Sequence, residues 1–154
     1  RPPHARRDAR IPGQGRAGRA RRAVIVLDAS AALELLLNTA SAPRVAARVL
    51  APRESLHAPH LIDLEIAQVL RRWERIGTLA PQRGEEVLED LADLPLARYP
   101  HQMLLGRVWD LRSNATAYDA AYLALAEVLG ATLVTRDAAL ASVPGHGAKV
   151  EVIG

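Results

Sequence analysis

Two short runs do most to limit what this chain can fold into: "AVIVL" at residues 23–27 and "ATLVT" at 131–135. Both are continuous and apolar rather than alternating, and rich in β-branched residues, the pattern of a strand covered on both faces. Such strands belong to parallel sheets, whose neighbours must be joined by long, usually helical, crossovers. The intervening sequence supplies them. "SAALELLLN" reads as a helix ending near Asn38, and Pro43 opens "PRVAARVLA" where proline is welcome. A longer helix is predicted from His60 to about Ile76, with Gly77 as its C-cap. Residues 81–94, 101–114 and 116–130 read as further helices, and "RDAALASV" as a short helical turn. "LARY" and "KVEVI" are short strands, and "LHAP" is expected to be no more than a strand fragment or a loop. The alternation predicts an α/β fold, a single domain over residues 23–154 with a parallel β-sheet flanked by helices.

Residues 1–22 are of another kind. They hold eight arginines against one aspartate, Asp8, and hardly any apolar side chains, so a disordered basic tail is expected, a vector remnant or an upstream extension. The formal charge of +3 therefore misleads: residues 23–154 carry 12 basic and 16 acidic side chains, a net of −4. Arg21-Arg22 precedes an apolar run, as in a twin-arginine leader. Asp28 and Glu34 interrupt that run and no cleavage pattern follows, which argues against export. No apolar run reaches the ~18 residues needed to cross a bilayer. The absence of cysteine rules out disulfides and thiolate metal ligands and fits a reducing, cytoplasmic setting. Nineteen of the 20 basic residues are arginine, a bias read as genomic rather than functional.

Four acids stand where a structural role alone explains them poorly. Asp28 ends the first strand and Asp137 lies just past "TLVT"; ligands of open parallel sheets bind outside the carboxyl ends of the strands. Each could instead simply N-cap the helix that follows. On the helix beginning at His60, Leu61, Ile62, Ile66, Val69, Leu70 and Trp73 share one arc, and Glu65 lies inside it. A buried pair with Arg72 is the structural alternative for Glu65. Asp63, only two residues away, falls at the solvent border and is accessory at best. Asp119 shares a helix face with Tyr122, Leu123 and Ala126, yet also completes a capping box with Thr116. If the four converged, each pair ~4 Å apart would repel by roughly 4 kcal/mol at an effective dielectric of ~20, so the cluster must take up protons or bind a cation. Hard oxygens without Cys or His suit Mg²⁺ or Mn²⁺ better than Zn²⁺, and the implied chemistry is metal-assisted phosphodiester hydrolysis.

The stretches "VIVLDASAALELL", "HAPHLIDLEIAQVLRR" and "TAYDAAYLALAEVLGATLVTRDAAL" together resemble the PIN-domain ribonucleases, specifically the VapC-type toxins of bacterial toxin–antitoxin systems. The likeness runs from about Val24 to Ile153. It implies a Mg²⁺- or Mn²⁺-dependent endoribonuclease, a homodimer held inactive by a cognate VapB-type antitoxin. It also places the family's four acids on Asp28, Glu65, Asp119 and Asp137. Ser30 and Thr135 could support these carboxylates by hydrogen bonding, and Arg112 and Arg136 could grip RNA phosphates. Three other readings compete. A haloacid-dehalogenase-type phosphatase would need an acid where Ser30 stands. A catalytically silent PIN-fold binding module would not need all four acids. A housekeeping RNA-processing nuclease shares the chemistry but not the biology.

Overall fold

The computed structural model describes residues 23–154; the basic segment 1–22 lies outside them. The strands are β1 (Ala23–Leu27), β2 (Glu54–Pro59), β3 (Leu96–Tyr99), β4 (Thr132–Thr135) and β5 (Lys149–Val152). They form one five-stranded sheet in the order β3-β2-β1-β4-β5, with every pairing parallel. The helices are α1 (Ala29–Leu36), α2 (Ala42–Val49), α3 (Leu61–Arg75), α4 (Pro81–Asp93), α5 (Leu105–Asp110), α6 (Ala117–Leu129) and α7 (Ala138–Ala141).

The continuous apolar run of β1 is explained by its central position. Ile25, Val26 and Leu27 are fully buried, because β2 and β4 pair with both edges and helices cover both faces. Strands β1, β2 and β3 step outward in one direction, and β4 and β5 in the other. Right-handed crossovers then place α1 to α4 on one face and α5 and α6 on the opposite face. The packing agrees: α1 contacts α2, α3 and α4, while α6 contacts α5 and lies across β1, β2 and β4.

Two local expectations change. "LHAP" is the core of a six-residue strand, with Leu56 and Ala58 buried; pairing to β1 and β3 on both sides overrides its weak strand signal. The stretch 101–114 is not one helix. A 3₁₀ turn, His101–Leu104, leads into α5, and the chain then unwinds through turns in which Asn114 and Ala115 donate N–H to the Leu111 carbonyl at 2.9 and 3.0 Å. Those turns deliver Thr116 as the N-cap of α6.

Helix α6 is apolar all round. Ala120 through Ala126 are buried without a break, so the helix is sunk in the core rather than laid on it. Alanine and leucine at every step let a helix approach the sheet from one side and α5 from another. It stops at Gly130, whose φ of 58° is left-handed and easily reached only by glycine.

Candidate active site

The strand order reverses between β1 and β4, and this is where an open parallel sheet binds ligands, beyond the carboxyl ends of its strands. Asp28 is the residue after β1. The register Leu27↔Val134 sets it level with Thr135, and its N–H donates to the Val134 carbonyl at 3.0 Å. Thr135 donates its hydroxyl to Asp28 Oδ2 at 2.7 Å, and Ser30 donates its N–H at 3.3 Å and its hydroxyl to the same oxygen. Both hydroxyl protons are thereby committed, so each hydroxyl oxygen turns its lone pairs to a backbone donor. Ser30 Oγ accepts from Arg136 N at 2.9 Å, and Thr135 Oγ1 from Asp137 N at 2.9 Å. This network locks the two strand ends together around one oxygen of Asp28. The side-chain contacts place Ser30 and Thr135 as supports of a carboxylate.

Glu65 occupies the second turn of α3, half-buried, and accepts the Tyr122 phenol on Oε2 at 2.5 Å. No bond to Arg72 forms; Arg72 is exposed. Tyr122 itself is buried in α6, one turn beyond Asp119, so a single hydrogen bond fixes α3 against α6 at the edge of the sheet. Asp119 sits half-exposed in the first turn of α6. Thr116 donates its hydroxyl to Asp119 Oδ2 at 2.8 Å and accepts Asp119 N at 3.1 Å, the anticipated cap. Asp137 is exposed and caps α7, accepting Ala139 N on Oδ1 at 2.8 Å. Asp63 is apart from all of these, paired with Arg98 of β3 at 2.9 Å.

The electrostatics show which acids share a field. Burial pushes the Asp28 carboxyl above its usual range, against the opposing pull of the Ser30 and Thr135 hydrogen bonds. Burial likewise raises Glu65, the Tyr122 bond lowers it, and the charges of Asp28 and Asp119 raise it again. Burial and the Glu65 charge hold the Tyr122 phenol far above its ordinary value, so it stays protonated and always donates. Glu65 is thus the acid that feels both of the others, Asp28 and Asp119. Among the described residues, however, no three carboxylates or imidazoles are close enough to share an ion as placed. Each acid has turned toward a nearby donor: Glu65 to Tyr122, Asp119 to Thr116, Asp137 to Ala139. Glu65 lies within the field of Asp28 and Asp119, and Asp137 follows β4, the strand paired with β1.

A stability prediction follows from the raised Glu65. A carboxyl whose folded value lies above its ordinary 4.5 contributes stability below that value and loses it as pH rises through the folded value. In metal-free buffer, Glu65→Gln should therefore melt at or above the wild-type temperature at neutral pH. The gap should close as pH falls toward 4.5. A thermal melt series across that range checks it, and a variant that melts well below wild type at neutral pH contradicts it.

The arginines divide. Arg136 is tied down, half-buried, between Glu34 Oε1 at 3.4 Å and the Ile153 carbonyl. Arg112 is exposed; its NH1 donates to the Trp109 carbonyl at 2.8 Å and its guanidinium lies 4.9 Å from the Trp109 ring centre. Two contributors were not foreseen: Tyr122 as the partner of Glu65, and Glu34 as the anchor of Arg136. The phase of Tyr122 with Asp119 was legible in the sequence, but its partner lies 57 residues away on another helix.

Comparison with known proteins identifies the family. The PIN domain family model matches residues 25–146. Ribonuclease VapC9 of Mycobacterium tuberculosis is 46% identical over 114 residues, covering 74% of this chain and 86% of the relative. Ribonuclease VapC12 of the same organism is 39% identical over 130 residues, covering 84% and 99%. Among solved structures, VapBC2 from Rickettsia felis, bound to a DNA fragment from its promoter, superposes with a TM-score of 0.63 at 13% identity, covering 85% of this chain and 99% of that one. At that identity the superposition speaks to the fold alone. Family model and curated relatives converge: this chain belongs to the PIN-domain family, among the VapC ribonucleases.

Proposed function

We propose that this chain is an endoribonuclease that hydrolyses RNA phosphodiesters, the toxin of a VapBC-type pair, acting in the cytoplasm as a homodimer silenced by a cognate VapB-type antitoxin. The observation that carries the reading is Asp28 clasped by Ser30 and Thr135 at the point where the strand order reverses, with Glu65 near enough to feel its charge and that of Asp119. The VapC ribonuclease names of relatives at 39–46% identity support both the activity and the place of this chain in such a pair.

Membership of the family implies a divalent metal cofactor. The residues fit one: the Glu65 carboxylate, disfavoured by burial and then by the charges of Asp28 and Asp119, is relieved by positive charge. We assign Mg²⁺ or Mn²⁺ to Asp28, Glu65, Asp119 and Asp137, because every donor is a hard oxygen. A cation held there supplies Lewis acidity and charge against the developing negative charge on the phosphate.

The chain's own contribution is positioning. Ser30 and Thr135 hold one oxygen of Asp28 and leave the other outside their network. Tyr122 holds one oxygen of Glu65, and Thr116 one of Asp119. Each ligand side chain is thus restrained through a single oxygen, the arrangement that orients a carboxylate without consuming it. The acidic balance of residues 23–154 gives no general attraction for RNA, so local cations must supply it.

RNA cleavage by the purified protein in Mg²⁺, in Mn²⁺ and in EDTA is the test. Activity should appear with either ion, stop with EDTA and be lost in Asp28→Asn. Undiminished cleavage in EDTA defeats the metal assignment.

A further inference from the structure

The cleft beside Asp119 has a volume of about 510 Å³ and is lined by Arg112, Asn114, Thr116, Asp119, Ala139 and Ser142 among others. One side chain on this wall has no partner suited to its charge. Among the described residues, Arg112 makes no ion pair with any carboxylate, although Asp119 borders the same cleft. Its one hydrogen bond, to the Trp109 carbonyl, and the Trp109 ring beneath it hold the guanidinium plane in place.

Trp109 is itself out of place as a core residue. The chain has two tryptophans, three tyrosines and no phenylalanine, yet this indole is 68% exposed. An exposed tryptophan lying under an unpaired arginine, which itself borders the cleft beside Asp119, is a flat cationic surface rather than a packing element. Arginine planes and aromatic rings are the surfaces on which unpaired nucleobases stack.

Resting on the ribonuclease reading, we propose that the Arg112–Trp109 stack is a platform for one base of single-stranded RNA, at the cleft that Asp119 also borders. The guanidinium takes the base on its plane, and the Asn114, Thr116 and Ser142 side chains lie within the same cleft to meet its edge. Arg112 then acts as a substrate-binding residue that selects unstacked RNA; a contact to phosphate alone would need its charge but not its plane.

The experiment uses the full chain with Trp73→Phe, which leaves Trp109 as the sole indole. A short unstructured oligoribonucleotide is titrated with Ca²⁺ replacing Mg²⁺, and a set of the same oligonucleotide carries one abasic position in turn. Binding should change Trp109 fluorescence. Arg112→Ala and Arg112→Lys should both weaken binding by roughly tenfold, the scale of one base stacked on a planar side chain. One abasic position should reproduce that loss with Arg112 present and add nothing to it in Arg112→Ala. Full affinity in Arg112→Lys would reduce the contact to charge, and unchanged affinity in Arg112→Ala or the lack of any such abasic position would overturn the platform. Cleavage in Mg²⁺ that persists alongside these negative results leaves the ribonuclease reading standing. A wild-type chain that neither binds nor cleaves the oligonucleotide defeats both.

Discussion

Glu65→Gln should fold normally and lose RNA cleavage by on the order of 10²–10³-fold, the cost of removing one electrostatic partner of a transition state. Asp63→Asn, two residues away, should retain most of the activity. The two acids share a helix but face apart. Glu65 points to the Tyr122 phenol and feels the charges of Asp28 and Asp119, whereas Asp63 pairs with Arg98 on β3 at 2.9 Å. The glutamine keeps the acceptor for Tyr122 and nearly the same volume, so only charge is removed. In Asp63→Asn a partly exposed ion pair is lost, for which a cost of about 0–1 kcal/mol is expected. Initial cleavage rates of the two variants, assayed side by side with matched circular dichroism, decide the matter. An active Glu65→Gln beside an inactive Asp63→Asn would remove Glu65 from the site.

The largest effect on stability should come from Leu123→Ala. Leu123 is fully buried at the centre of α6, the helix that lies across β1, β2 and β4. Removing its isobutyl group loses transfer free energy and leaves a void that neighbours fixed in strands cannot fill. A cost of about 2–5 kcal/mol is expected, a large share of the roughly 5–15 kcal/mol that holds a domain of this kind together. Denaturant midpoints at constant slope measure it. A loss below about 1 kcal/mol would mean that α6 packs loosely and that the uninterrupted burial from Ala120 to Ala126 has another cause. Because α6 also carries Asp119 and Tyr122, weaker cleavage should accompany the lower stability even though Leu123 makes none of the hydrogen bonds that hold the acids.

Some features were readable because they depend on near neighbours in the chain. "AVIVL" and "ATLVT" announce strands buried on both faces, since only such strands need no polar alternation. The Thr116–Asp119 cap, the Gly130 helix end and the inward phase of Glu65 are all settled within a turn or two of helix, and Gly77, expected as the C-cap of α3, stands one residue past the Ile76 cap with a φ of 74°. The acid set was readable for the same reason, each acid marked by its place at a strand end or on a helix. "LHAP" was not, because its strand exists through pairing with β1 and β3, and neither partner can be seen from those four residues.

Asp119 shows where local pattern stops. Its helix was expected to have one apolar face, with the acid anomalous upon it; in the fold the helix is apolar on every face, and Asp119 is the residue at which it emerges from the core. The sequence by itself determined the α/β class and the parallel sheet and singled out the four acids proposed as the site, because periodicity and strand-end position are properties of contiguous residues. Tertiary structure alone decided how those acids are held. The Tyr122 bond to Glu65, the clasp of Ser30 and Thr135 on Asp28, the tethering of Arg136 and the exposure of the Arg112–Trp109 stack depend on where helices and strands come to rest. Hydrogen bonds reach only about 3 Å, so which distant groups meet is set by packing and not by spacing along the chain.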